Sequence, residues 1–559
     1  MTATEAAPRL TAPADSGWPA LSKIAYAIIV LWGWRRLAVA LIAGAVSALA
    51  QAPFNAFPLL WLTVPVLVWL IDGATAGDRG GRIGRLVPAF AVGWFFGFGY
   101  FVGGLWWIGA AFLVDADQFA WLMPFAVVAL PAGLAVFWGV GAAVARAFWP
   151  EGWPRIVVFA VVFAVVEWLR GHLLSGFPWN ALGYALTPTP LMMQSAALIG
   201  VWGLTLAAWF IFAAPAVLAE THRRDGHSAR FFLAFVVLLF LSHLGFGAIR
   251  LALANDAVVT GVKLRIVQPA IDQSERWMSG HENEIIKRYL EMSDGATAPD
   301  RSGVGSATHL IWPESAFPFF LTERPDALAA IAALLPPGTT LITGAARPEP
   351  PSGVDGAERA FNSVFVIGHG GEILSAYDKV HLVPFGEYLP FRSFLESLGI
   401  RQLITLPGGF SPGPGRRTVT VPDAPPMGPL ICYEIIFPDA VTDPADRPAW
   451  LLNLTNDTWF GDTPGPRQHL LQARVRAVEE GLPVVRAANS GISAIIDAYG
   501  RISRSLDVGR RGTLDGQLPV GLYRTIYGQL GDSILLVLVV LGLSVALIGQ
   551  IRSRFEGDP

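Results

Sequence analysis

Gly428-Pro429-Leu430-Ile431-Cys432-Tyr433-Glu434-Ile435 holds the one cysteine of the 559-residue chain. An apolar run that reads as a strand leads into the thiol, and the carboxylate of Glu434 follows it. One thiol forms no internal disulfide and builds no CxxC metal site. Two readings of Cys432 stand at this point. It is a small core side chain, because free cysteine is among the most buried residue types. Or it is a nucleophile, exposed where the chain turns at a strand end.

Around this stretch, residues 262–520 alternate short apolar strands with helical segments. Strands are predicted at 264–268, 309–312, 340–343, 363–367, 428–432, 451–454, 483–487 and 493–496, and helices at 281–293, 327–335 and 468–480. This is an α/β pattern. Arg474, Arg476, Glu479 and Glu480 read as the solvated face of the last helix. There is no strand–GxGxxG–helix and no Walker loop, so no nucleotide site is expected. No His pair stands at metal spacing, and the isolated His381 and His469 read as structural. Nothing calls for a metal, a cofactor or a nucleic-acid partner.

Outside that block the chain is far more apolar. Hydrophobic residues make up 53% of it, with 20 Trp and 34 Phe, and charged residues 15%, against about 25% in an ordinary globular protein. A bilayer span needs roughly 20 apolar residues. Eight spans are predicted, near 37–52, 57–72, 87–112, 119–147, 156–174, 190–219, 231–252 and 532–551. Residues 24–34 read as an interfacial lead-in cut off by Arg35 and Arg36. The arginines of alternate loops set the orientation: Arg35 and Arg36; Arg79, Arg82 and Arg85; Arg146 and Arg155; Arg223, Arg224 and Arg230; Arg552 and Arg554. Eight spans place all of them on one side, so both termini are expected in the cytoplasm and the soluble domain outside it. No small-residue cleavage site follows the first apolar segment, which is read as a retained span. The domains are an N-terminal tail (1–22), a membrane domain of seven spans (23–255), an extracytoplasmic domain (260–522) and a last span (530–552). The tail and the Pro/Gly-rich 348–357 read as loop or disorder.

Within the apolar half, Glu167-Trp168-Leu169-Arg170-Gly171-His172 leads to Gly176-Phe177-Pro178-Trp179-Asn180. Ionisable groups at a span end are functional suspects. Equally, Glu167 and Arg170, three apart on one helix face, can pair with each other.

Two further segments carry chemistry beside Cys432. One is Ile311-Trp312-Pro313-Glu314-Ser315-Ala316, a strand ending at a carboxylate. The other runs from Tyr377 through Lys379 and His381 to Phe385, Glu387 and Tyr388. Singly, each has a dull reading: a helix cap, a surface lysine, a core thiol. Together, and in this order, they resemble the Glu–Lys–Cys triad of the nitrilase (carbon–nitrogen hydrolase) superfamily. The resemblance implies an α-β-β-α sandwich in which each triad member follows a strand. With eight spans and the Gly-Phe-Pro-Trp turn, the whole chain resembles the apolipoprotein N-acyltransferase family, the membrane-embedded branch of that superfamily. Val267-Gln268-Pro269, 312–316, 381–388, 431–435, 456–461 and Asn489-Ser490-Gly491 carry the likeness.

On that resemblance the catalytic residues are Glu314, Lys379 and Cys432. Glu314 takes the thiol proton as general base, since a free thiol near pKa 8.5 needs help to ionise. Cys432 attacks an ester carbonyl. Lys379 and the backbone N–H of Tyr433 support the oxyanion. A thioester remains, and an amine resolves it in a ping-pong cycle. Glu387 is expected to keep Lys379 protonated, with Glu434 a further electrostatic partner. The implied donor is a phospholipid, typically phosphatidylethanolamine, and the implied acceptor the α-amine of the diacylglyceryl-cysteine of a bacterial prolipoprotein. The implied location is the bacterial inner membrane. Trp277, Phe385, Trp459 and Trp179 are candidate wall or gate aromatics, with Trp277 on a lid. Three rivals remain in the sequence: a membrane-tethered amidase or nitrilase with the same triad, a catalytically dead scaffold, and a Cys–His dyad through His381.

Overall fold

The computed structural model describes residues 19–74, 84, 86–219, 226–272, 280–295, 303–349, 359–397 and 409–556. Among them, seven helices are long and apolar enough to cross a bilayer: Gly33–Ala50, Val87–Leu113, Ala116–Ala147, Pro154–Ser175, Ala196–Ala219, Ser228–Ala252 and Ser533–Ile551. Phe57–Asp72 is a shorter apolar helix. At 1.5 Å per residue it reaches about 24 Å, and its Leu60, Val64, Leu67, Leu70 and Ile71 are wholly buried among its neighbours. The helices pack through small residues. Gly93 and Gly97 of one span lie against Ala142 and Ala135 of the next, which lets two backbones approach closely.

Two boundaries differ from the sequence reading. The first span starts at Gly33 rather than after the arginine pair. Extended Trp32 separates it from the helix Pro19–Ile29, and Arg36 Nε donates to the Leu31 carbonyl at 2.7 Å. The predicted span 190–219 is broken into a short turn, Pro190–Met193, and the helix Ala196–Ala213. The latter is kinked at Gly200, whose φ is 61°. A Cβ there would stand 2.1 Å from the Tyr527 ring, so the kink seats an aromatic from beside the last span.

Among the described residues the other half holds twelve strands. β1 (Val258–Gln268), β2 (His309–Ile311), β3 (Thr340–Glu349), β4 (Arg359–Ile367) and β5 (Ile373–Asp378) form one sheet. β6 (Val419–Val421), β7 (Ala424–Ile431), β8 (Trp450–Thr455), β9 (Val484–Ala488), β10 (Ser493–Ile496) and β11 (Ile502–Leu506) form a second. β12 (Gly512–Pro519) returns to the first sheet beside β1. The spatial orders are β12-β1-β2-β3-β4-β5 and β11-β10-β9-β8-β7-β6.

Parallel strands fill the middle of each sheet. Ile266 pairs with Ile311 and Ile311 with Ile342; in the other sheet Ile431 pairs with Leu454 and Leu454 with Ala487. The loops after β2, β7, β8 and β9 therefore leave from matching strand ends. β3 runs antiparallel into β4, which brings Asn362 to the same end of its sheet as the residues after β2.

One hydrophobic core lies between the sheets, joining Ile266, Ile311 and Ile342 to Ile431, Leu452 and Val485. Helices Glu282–Asp294 and Pro325–Leu334 cover the first sheet over a second core. Helix Pro464–Glu480 covers the second sheet, and its Leu471, Val475 and Val478 belong to the same continuous core as Trp138, Trp202 and Phe212 of the spans. The result is an α-β-β-α sandwich set on a helical membrane domain.

That seam corrects one expectation. Arg476, Glu479 and Glu480 are buried, and Arg474 is partly so. The face that read as solvated is pressed against the spans: the Val201 N–H donates to Glu479 Oε1 at 2.7 Å, and Arg476 lies 2.8 Å from Glu479 Oε2. Glu167 and Arg170 do pair, at 2.7 Å and fully buried. Trp138 Nε1 donates to Glu167, and Arg170 donates to the carbonyls of Phe177 and Trp179. The pair pins the turn that follows its helix.

Candidate active site

Glu314 lies just past β2, Lys379 immediately after β5 and Cys432 immediately after β7. Each follows a strand, so residues distant in sequence meet at one end of the sandwich. The turn after β2 is tight. Ser315 has a φ of 49°, and the Ala316 N–H donates to the Gly344 carbonyl at 2.8 Å. Cys432 opens a short 3-10 turn, Cys432–Ile436, and also sits in the left-handed region, with φ 49°. For a residue with a Cβ that conformation costs roughly 1–3 kcal/mol. The N–H groups of a helix's first turn have no partner within the helix, and Tyr433 stands there.

Lys379 is buried between two carboxylates. Its Nζ lies 2.8 Å from Glu387 Oε2 and 3.8 Å from Glu314 Oε1. Burial alone acts to lower its pKa; Glu387, then Glu314, outweigh that and raise it well above its usual value. Lys379 is thus held as an ammonium. Burial pushes the Glu314 carboxyl up, against the pull of Lys379. Burial, then the Glu314 charge, push the Cys432 thiol up, and Lys379 opposes them. The three groups therefore act on one another. A thiol in this setting rests protonated, so its proton must leave as the sulfur attacks.

Two carboxylates beside one ammonium need a spacer, and Asn362 supplies it. Its Nδ2 donates to Glu314 Oε1 at 2.8 Å and to Glu387 Oε1 at 2.9 Å. Its backbone carbonyl accepts from the backbone N–H of Lys379 at 2.8 Å. The sequence reading passed over Asn362. Its signal was an amide inside the apolar strand that runs on to Ile367, where Asn is depleted.

Glu387 is buried, and its Oε2 also accepts from the Val383 N–H at 2.8 Å. Glu434 is fully buried but braces backbone rather than the ammonium. It accepts from Tyr377 Oη and from the N–H groups of Val380, His381 and Ile431. It thereby ties the loop carrying Lys379 to the strand end carrying Cys432. Tyr433 Oη donates to the Gly176 carbonyl at 3.1 Å.

The candidate gate aromatics fall in different places. Trp179 is buried at the seam, its indole donating to Gln468 Oε1 at 2.8 Å, so it is a fixed wall. Trp459 is partly exposed on the turn Asp457–Phe460. Phe385 is 51% exposed. Trp277 lies outside the described residues. His381 and His469 are not isolated in space. His381 Nε2 bonds the Ser175 carbonyl at 2.8 Å, which sets the Lys379 loop on the end of a span. His469 lies 2.9 Å from Asp457 and 3.2 Å from the Cys432 carbonyl.

Comparison with known proteins agrees with this architecture. Residues 43–214 match the family described as Apolipoprotein N-acyltransferase N-terminal domain, and residues 263–527 match Carbon-nitrogen hydrolase. The Apolipoprotein N-acyltransferase of Rhodopseudomonas palustris is 52% identical over 96% of this chain and 99% of its own. The chain belongs to the apolipoprotein N-acyltransferase family. Relatives of the same description in Bradyrhizobium diazoefficiens and Brucella suis are 51% and 46% identical, each over 96% of this chain and at least 99% of theirs. As a member of that family the chain is an acyltransferase, which disfavours the hydrolase rival. A solved amidase from Nesterenkonia sp. is 18% identical, over 48% of this chain and 94% of its own, with a TM-score of 0.33.

Proposed function

We propose that this protein moves an acyl chain from a phospholipid, phosphatidylethanolamine in the first instance, through a thioester on Cys432. The acceptor is the α-amine of the diacylglyceryl-cysteine that begins a bacterial lipoprotein. The observation that carries this reading is the buried Lys379 ammonium, held by Glu387 and Glu314 beside the chain's sole thiol. Glu314 takes the thiol proton while the sulfur–carbon bond forms. The tetrahedral oxyanion is met by Lys379 and the Tyr433 N–H. The ester carbon–oxygen bond then breaks, and the lysophospholipid alkoxide leaves with the proton from Glu314. In the second half the amine attacks the thioester carbonyl. Glu314 accepts the amine proton and returns it to the sulfur as the sulfur–carbon bond breaks, leaving an amide and a free thiol.

Both substrates are lipids, so the site must open at the bilayer surface. The Lys379 loop resting on Ser175 at the end of a span, with Leu174 91% exposed there and Phe385, farther along that loop, 51% exposed, supports such an opening.

Phospholipid alone should leave one hydroxylamine-labile acyl group on Cys432, read by intact mass. Cys432→Ala should show neither adduct nor turnover, and an unchanged acylation rate in that variant would remove the assignment. We place the chain in the inner membrane with both termini cytoplasmic and the sandwich periplasmic, as the loop arginines imply. Reporters fused after Glu151 and after Ser505 should read opposite sides, and the same side for both would overturn this topology.

A further inference from the structure

Cys432 is held in its left-handed conformation from its carbonyl side. That oxygen accepts from His469 Nε2 at 3.2 Å and from Asn453 Nδ2 at 3.4 Å. A carbonyl only accepts, so Nε2 carries a proton. At the other edge of the ring, Nδ1 lies 2.9 Å from Asp457 Oδ1 and 3.0 Å from Arg486 Nη2. A protonated Nδ1 donates to the carboxylate, and an unprotonated one accepts from the guanidinium. The donor at Nε2 is kept in both states. Asp457 is fixed in turn by Thr455 Oγ1 at 2.9 Å and Arg486 at 2.6 Å.

The side chain of the preceding residue, Gln468, bonds to the membrane domain. Its Oε1 accepts from Trp107 Nε1 at 3.1 Å and Trp179 Nε1 at 2.8 Å, and its Nε2 donates to the carbonyls of Ala52 at 3.0 Å and Gly104 at 3.3 Å. All four hydrogen-bonding positions of the amide are filled. Two consecutive residues thus grip opposite partners: Gln468 the spans, His469 the backbone of the thiol residue.

We propose that Gln468 and His469 form a positioning element through which the membrane domain sets the oxyanion donor at Cys432. The Cys432 carbonyl and the Tyr433 N–H belong to one planar peptide group, so a bond that fixes the carbonyl also aims the N–H. The inference rests on Cys432 being the nucleophile. His469 touches no reacting atom; it acts through that peptide. Its loss therefore weakens transition-state support and leaves ground-state lipid binding in place.

The test uses the full-length enzyme in detergent, with initial rates of Cys432 acylation measured by intact mass across phospholipid concentrations. His469→Met removes the donor at similar volume, and His469→Gln restores an N–H near the Nε2 position. His469→Met should lower the saturating rate about tenfold or more and shift half-saturation by less than about twofold, a smaller loss than the 10²–10³ typical of deleting an oxyanion donor outright. His469→Gln should recover to within about threefold of wild type. Gln468→Leu, which leaves the packing beside Asp457 untouched, should also lose saturating rate, and His469→Met should cost less on top of it than alone. Equal impairment in His469→Met and His469→Gln, a loss confined to half-saturation, or strict additivity would each overturn the proposal. Wild-type enzyme carrying no acyl group on Cys432 would overturn it together with the reading it rests on.

Discussion

At the residue scale, Glu314 and Lys379 share a burial site but can be told apart by chemistry. Glu314→Gln keeps the shape and loses the base, so both half-reactions should slow. Lys379→Met keeps the stem and loses the charge, leaving the oxyanion with one donor, at a cost of about 10²–10³ in rate. With Cys432 already acylated, Glu314→Gln should still transfer slowly to an amine at high pH, where the amine arrives deprotonated. Lys379→Met should not be rescued, because pH restores no oxyanion donor. Rescue of the lysine variant alone would show the roles reversed. Glu314 and Cys432 were legible because each ends an apolar run, and Lys379 because it stands between them in the order of the triad that the three segments resemble. Asn362 was not, although it bonds both Glu314 and Glu387. Its meaning depends on strand pairing that sets β4 beside β5 and β3, and no local spacing carries that. Asp457 and His469 are likewise joined only by the fold, twelve residues apart across a turn and a helix.

At the scale of elements, the turn 176–179 joins the two halves. Its carbonyls take Arg170 from below and Tyr433 Oη from above. Gly176 has a φ of 74°, and a Cβ there would stand 2.1 Å from the Gly171 carbonyl oxygen and 3.3 Å from the Phe437 ring. Gly176→Ala therefore meets both backbone strain and a clash, costing a few kcal/mol. It should lower the melting temperature and slow acylation together, whereas Leu174→Ala, on an exposed neighbour, should leave the melting temperature nearly unchanged. A full-activity, full-stability Gly176→Ala protein would show that the turn does not hold the seam. The strands predicted from apolar runs all form. Those not foreseen, β5, β6, β11 and β12, are short, edge-lying or polar: β11 reads Ile-Ser-Arg-Ser-Leu and is largely exposed, and β12 contains two glycines and an aspartate. Sheet position, rather than composition, makes them strands.

At the scale of the whole molecule, the sandwich and the spans share one core, and charge is buried where they meet. The 3–4 spacing of charges on helix Pro464–Glu480 matches a solvated face, and only the distant spans make it an interior one. Burial raises Glu479 to about 8, and Glu480 to about 7, where Asp439 adds to it. Among the described residues, Glu480 Oε2 has no hydrogen-bond partner. Unfolded, both carboxyls titrate near their ordinary value of 4.5. Below that pH both states hold the protons and nothing is lost. Above it the unfolded chain releases protons that the native seam retains, so stability falls as pH rises through about 7 to 8. For Glu480 the shift corresponds to about 3 kcal/mol. The melting temperature of the purified protein should therefore drop between pH 5 and pH 8.5, on the order of a few degrees. Glu480→Gln carries no titrating group at that position and should flatten part of the slope, gaining most at the alkaline end and little at pH 5. Parallel melting curves for the two proteins across that range would mean that Glu480 ionises in the folded seam as freely as in water.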